Sequence, residues 1–160
     1  MTIQPISIDQ LDYTCSDTEP GGPFGFRSWM WNGQLHSVDD HPALILGDGT
    51  NIQWYKYGLR HRDESFGPAW IKNEIETWYN NGQIHRKNGP AMISPLTEKW
   101  YCRGELHRDD GPAVIVKYVV KSEQQGSDRG WYWHGMRQSF DSWALNIDPE
   151  LAVLLKMKYF

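Results

Sequence analysis

The chain has 160 residues, 39% of them hydrophobic and 22% charged, which is the length of one domain with enough apolar surface for a core. Its formal charge is -4 and it has no run of Lys or Arg, so it lacks the basic stripe that duplex nucleic acid requires. No apolar run reaches membrane-spanning length, no secretory leader opens the sequence, and Cys15 and Cys102 are too few for a secreted disulfide framework; no membrane partner is expected and the cytosol is the expected compartment.

Residues 1–26 read as an N-terminal cap, in which Ile3, Ile6 and Ile8 alternate as in an edge strand and Gly21-Gly22-Pro23 resembles a degenerate corner. Residues 27–138 hold repeats. WMWNGQLHSVDDHPALI from Trp29, WYKYGLRHRDESFGPAWI from Trp54, WYNNGQIHRKNGPAMI from Trp78 and WYCRGELHRDDGPAVI from Trp100 share one order of residue types, and an incomplete copy, WYWHGMRQ, opens at Trp131. Gly33, Gly58, Gly82, Gly104 and Gly135 are spaced by 25, 24, 22 and 31 residues, a period that marks repeat architecture.

Each copy predicts a β-hairpin. An aromatic run enters a two-residue turn ending in Gly, and Asn32-Gly33 and Asn81-Gly82 supply the two positive-φ positions of a type I′ turn. Counting outward pairs Trp29 with His36, Trp54 with His61, Trp78 with His85, Trp100 with His107 and Trp131 with Gln138. Alternation then sets Tyr55, Tyr79, Tyr101 and Tyr132 on the opposite face, across from Arg60, Ile84, Leu106 and Arg137. A polar bend, a proline corner and an apolar strand follow, with Ala43, Ala69, Ala91 and Ala113 leaving room for a stacked indole. Gly47-Asp48-Gly49-Thr50, Lys72-Asn73-Glu74 and Ser94-Pro95-Leu96 are the turns between copies. The fourth connection, Val114–Lys121 with the polar Glu123–Gly130, reads as a lengthened hairpin, either a partner-binding loop or a tolerated insertion.

Residues 139–160 change character. Ser139–Leu145 suggests a turn of helix with Phe140 and Trp143 toward the sheet. Asp148-Pro149-Glu150 is an N-cap with proline at the first helical position, and Leu151, Leu154 and Leu155 form an apolar stripe, suited to covering the last repeat or to joining a second copy into a homo-oligomer.

The units WYNNGQIHRKNGPAMI and WYCRGELHRDDGPAVI resemble the W-Y-x-N-G…H-R-x-D-G-P-A repeat proteins of tailed phages and large DNA viruses and, more distantly, MORN-type hairpin repeats. The resemblance spans roughly residues 22–145 and implies a mainly β fold of tandem antiparallel hairpins, a viral origin and a host cytoplasmic setting. It brings no catalytic residues. The first copy departs from the pattern with Ser37 for Arg and His41 for Gly, and the second inserts Phe66 before Gly67.

His61-Arg62-Asp63 and His107-Arg108-Asp109 match a kinase H-R-D, but neither a phosphate loop nor a D-F-G accompanies them. His36, His61, His85 and His107 lie a repeat apart, too far to share a zinc ion; each is expected to pack against its paired Trp and donate to a corner carbonyl or to Asp40, Asp63 or Asp110. No metal, cofactor or enzymatic activity is expected. What remains is a binding surface. Arg62, Arg86 and Arg108 follow the histidines, and alternation turns them toward Tyr55, Tyr79 and Tyr101, a row able to hold an anionic small molecule such as a nucleotide. Alternatively each Arg pairs with a neighbouring carboxylate, as Arg62 with Glu64 or Arg108 with Asp109. Two functions follow: a binder that sequesters a nucleotide-type signal of host defence, or an inhibitor or assembly module that binds a host protein through the sheet or the helical tail.

Overall fold

The computed structural model describes residues 6–15, 25–119 and 125–160. The fold is mainly β, built of antiparallel hairpins, with a short helical segment at its C-terminal end. Its contacts gather into two compact units, Met1–Gln83 and Ile84–Phe160.

The chain makes two kinds of hairpin in alternation. The predicted W-Y-x-x-G hairpins are short: Tyr55–Lys56 pairs with Leu59–Arg60, and Tyr101–Cys102 with Glu105–Leu106. The segments between them form the sheet proper. In the first unit Asp12–Cys15, Phe26–Trp31, Leu44–Leu46, Asn51–Gln53, Trp70–Lys72 and Ile75–Thr77 neighbour one another in that order. In the second the order is Met92–Ser94, Thr97–Lys99, Val114–Val119, Gln125–Trp133 and Met136–Gln138. The lengthened fourth hairpin thus pairs Val114 with Gly130 through Val119 with Gln125, and its expected tip, with Gly21-Gly22-Pro23 and Ile3, lies outside the described residues. Ile8 stands in a 3-10 turn, Ile8–Gln10, instead of an edge strand; that strand begins at Asp12.

The hairpin registers are those that turn chemistry predicts. Tyr55 faces Arg60, Tyr101 faces Leu106 and Tyr132 faces Arg137, while Trp131 faces Gln138. The His36, His61 and His107 N–H groups donate to Trp29, Trp54 and Trp100 carbonyls at 3.1, 3.1 and 3.2 Å. Every turn has two positive-φ residues, from Asn32 (50°) and Gly33 (72°) to His134 (45°) and Gly135 (79°). The corner closes on the same tryptophans: the N–H of Trp29, Trp54 and Trp100 donates to Ala43, Ala69 and Ala113 at 2.9, 2.8 and 2.8 Å. These alanines, with Ala91, are no more than 1% exposed, so a larger side chain has no room there.

Helix α1 (Phe140–Ala144) is capped by Ser139, and helix α2 (Pro149–Tyr159) by Asp148, whose carboxylate accepts from the N–H groups of Glu150 and Leu151. Phe140, Trp143 and Leu155 bury themselves against Trp131, with Leu151 and Tyr159 partly buried around them. The apolar stripe of α2 departs from expectation at one residue. Leu154 is 63% exposed, because the buried side of the helix is traced by Leu151, Leu155 and Tyr159, spaced four apart.

Candidate functional site

The H-R-x-D-G-P-A half of each copy folds around its arginine. The Arg62 guanidinium carbon stands 3.8 Å from the centre of the Trp54 ring, and that of Arg108 stands 4.0 Å from Trp100. Each guanidinium then reaches its own corner: Nη1 of Arg62, Arg86 and Arg108 donates to the carbonyl of Pro68, Pro90 and Pro112 at 3.1, 3.2 and 3.4 Å. The motif glycine follows from this. A Cβ on Gly111 would stand 3.1 Å from the Arg108 guanidinium, and one on Gly89 would stand 3.4 Å from that of Arg86. The departures in the first copy exchange one device for another: His41 packs edge-on to Trp29 at 4.3 Å and its Nδ1 lies 2.9 Å from the Pro42 carbonyl, the place that Arg occupies elsewhere.

This placement corrects the expected arginine face. Arg62 and Arg108 lie over the indoles of Trp54 and Trp100, with Tyr55 and Tyr101 lining the same grooves. Strand alternation ends at Leu59–Arg60 and Glu105–Leu106, so the arginines two residues on follow the corner instead of the pleat. Their carboxylate partners also differ from those expected. Arg62 meets Asp40 of the preceding copy through Nε and Nη2 at 2.7 and 2.6 Å, whereas Arg108 meets Asp110 through Nε alone at 2.6 Å. The arginine that does stand among tyrosines is Arg60, 5.6 Å from the Tyr55 ring and 4.9 Å from those of Tyr79 and Trp70. Its Nη2 donates to Gln53 at 2.7 Å. Arg60 occurs at this position in one complete copy only, so no repeat signal marked it; its cross-strand pairing with Tyr55 did.

The histidines likewise differ from expectation, for they reach forward to the next hairpin. The backbone N–H of Tyr57, Asn81, Arg103 and His134 donates to Nδ1 of His36, His61, His85 and His107 at 3.1, 3.2, 3.4 and 3.2 Å. An N–H can only donate, so each Nδ1 carries its lone pair and the proton sits on Nε2. The rings pack forward too: His36 lies 4.4 Å from the Tyr57 ring, and His107 lies 4.7 Å from Trp133 and 4.4 Å from His134. Beside each of these bonds the turn glycine donates back: Gly58 to Leu35, Gly82 to Arg60, Gly104 to Ile84 and Gly135 to Leu106, at 2.8–2.9 Å. Burial, and next the positive charge of Lys56, hold the His36 and His61 imidazoles below their ordinary value. Of the carboxylates expected as histidine partners, Asp63 favours the charged form of His61, whereas Asp40 and Asp110 meet Arg62 and Arg108 instead; Asp109 meets His107 Nε2 at 2.8 Å.

Two successive copies leave a groove between them, and the same motif positions line it in each unit. In the first, His36, Asp40, Trp54, Tyr55, His61 and Arg62 surround about 310 Å³. In the second, His85, Arg86, Trp100, Tyr101, His107 and Arg108 surround about 580 Å³, with Lys87 and Asp110 at the same groove. The structure therefore brings Arg86, Arg108 and Tyr101 together and joins Arg62 to Tyr55, while Tyr79 lies outside both grooves beside Arg60. In the first groove the bidentate Asp40 occupies Arg62. In the second Asp110 takes only Nε of Arg108, and it and Asp109 are largely exposed.

No group of three metal-binding side chains occurs among the described residues. No family model, curated protein or solved structure matches the chain.

Proposed function

We propose that this chain is a non-catalytic binding protein of viral, phage type, which acts in the host cytoplasm by sequestering a small anionic molecule of the nucleotide class. Its receptor is the groove lined by His85, Arg86, Lys87, Trp100, Tyr101 and Arg108. The observation that carries this reading is that the guanidinium of Arg108 is already held in place, by an indole face and a corner carbonyl, in a groove of about 580 Å³. A cation positioned in advance loses little rotamer freedom when an anion arrives, and a groove of this size suits a mononucleotide. Tyr101 adds an aromatic edge for a base.

Calorimetric titration against mononucleotides and cyclic oligonucleotides tests the proposal. Lys87 lines the groove and is exposed, so Lys87→Glu sets a carboxylate against an arriving anion. A charged hydrogen bond is worth about 1.5–3 kcal/mol, so affinity falls at least tenfold or so, and a thermal melt beside the titration reports any loss of folding. If no member of the panel binds the parent protein, the nucleotide reading fails. A host-protein-binding module is then the remaining reading, favoured by the exposed apolar side of α2.

A further inference from the structure

Helix α2 is apolar on two sides, and only one of them is used. Leu151, Leu155 and Tyr159 pack toward Trp131, Phe140 and Trp143. On the other side Val153, Leu154 and Met157 are 60%, 63% and 79% exposed. At 100° per residue these three share one face with Glu150, and Lys158 borders it beside Leu154. Large side chains gathered in this way exceed the scattered apolar exposure of an ordinary surface and mark an interaction site.

The charge pattern names the occupant. Glu150 lies four residues before Leu154 and Lys158 lies four residues after it. We infer that α2 of one chain packs antiparallel on α2 of a second copy, crossing at Leu154, so that Glu150 of each meets Lys158 of the other around a core of Val153, Leu154 and Met157. A two-fold axis requires such self-complementarity, because the same patch must serve both partners. The antiparallel arrangement also opposes the two helix dipoles, with the acidic first turn of each beside the basic last turn of the other. A lipid surface fits less well, since the chain is acidic overall and Glu150 falls within the apolar face.

Sedimentation at micromolar concentration tests this on the full chain. The parent protein is expected at twice the chain mass. Leu154→Asp is expected to raise the dimer dissociation constant at least about thirtyfold, the size of an interface hot spot, with little loss of thermal stability because Leu154 is exposed. Glu150→Lys alone sets like charges together and weakens the dimer about tenfold; Glu150→Lys with Lys158→Glu restores it. A monomeric parent overturns the proposal, whether or not it binds anionic vesicles or a host protein. A dimer indifferent to Leu154→Asp overturns the helix interface, and a double exchange no stronger than the single one overturns the antiparallel register.

Discussion

A histidine that accepts a backbone N–H through Nδ1 cannot take a second proton there without breaking that bond. His36 and His61 are therefore held neutral by burial, by Lys56 and by the turn they serve. Their contribution to stability has a definite sign. With the folded value depressed, the contribution is complete above the ordinary imidazole value near 6.5; as pH falls below it the unfolded chain takes up protons first, and stability drops until the folded value is reached. The melting temperature should thus decline between about pH 7.5 and 5. In the double variant His36→Asn, His61→Asn an amide oxygen can stand near the place of Nδ1 and does not titrate, so part of the acid decline should vanish. Equal slopes for parent and variant in thermal melts across that range would count against the forward bonds.

At the scale of the element, the same bond explains why unfavourable residues occupy the turns. Tyr57, Arg103 and His134 adopt φ of 50°, 50° and 45°, which L side chains with a Cβ resist by about 1–2 kcal/mol, and each has its N–H taken by the preceding histidine. Asn32 follows no such histidine and is a residue that tolerates this conformation alone. Gly82, at φ 82°, has a ring of constraints: a Cβ there meets Leu59 at 3.4 Å. Gly82→Val should cost on the order of 1–3 kcal/mol in urea unfolding, whereas the exposed neighbour in Gln83→Ala should cost little. These hairpins were legible in the sequence because a two-residue turn fixes its register by counting. The arginine face was not legible, since counting assumes a strand and the strands here end before the histidine. The glycine of Gly-Pro-Ala carried a signal whose meaning needed coordinates: it is small because a guanidinium rests on it.

At the scale of the molecule, the C-terminal segment covers the last indole. Trp143 is fully buried, packs 4.7 Å from Trp131 and donates through Nε1 to the Arg108 carbonyl at 3.2 Å. Leu155, 5% exposed, completes that cluster, so Leu155→Ala should cost about 2–5 kcal/mol, while Leu154→Ala, at 63% exposure, should shift the urea midpoint of a diluted sample far less. Equal shifts would reverse the assignment of the two faces of α2. That a helix would follow the repeats was evident from Asp148-Pro149, but which of its leucines faced inward depended on Trp131, Phe140 and Trp143, residues whose mutual position no local pattern encodes.

The forward histidine bond also gives the repeats a direction of growth. Every complete copy offers an acceptor to whatever hairpin comes after it, so a duplicated unit inserted between two existing ones finds a donor on one side and supplies an acceptor on the other. The fifth copy ends this. Gln138 stands where the histidine would, opposite Trp131, and Ser139 immediately turns the chain into α1. Copy number can therefore change by whole units within the array during gene duplication, while the position after Gln138 acts as a stop.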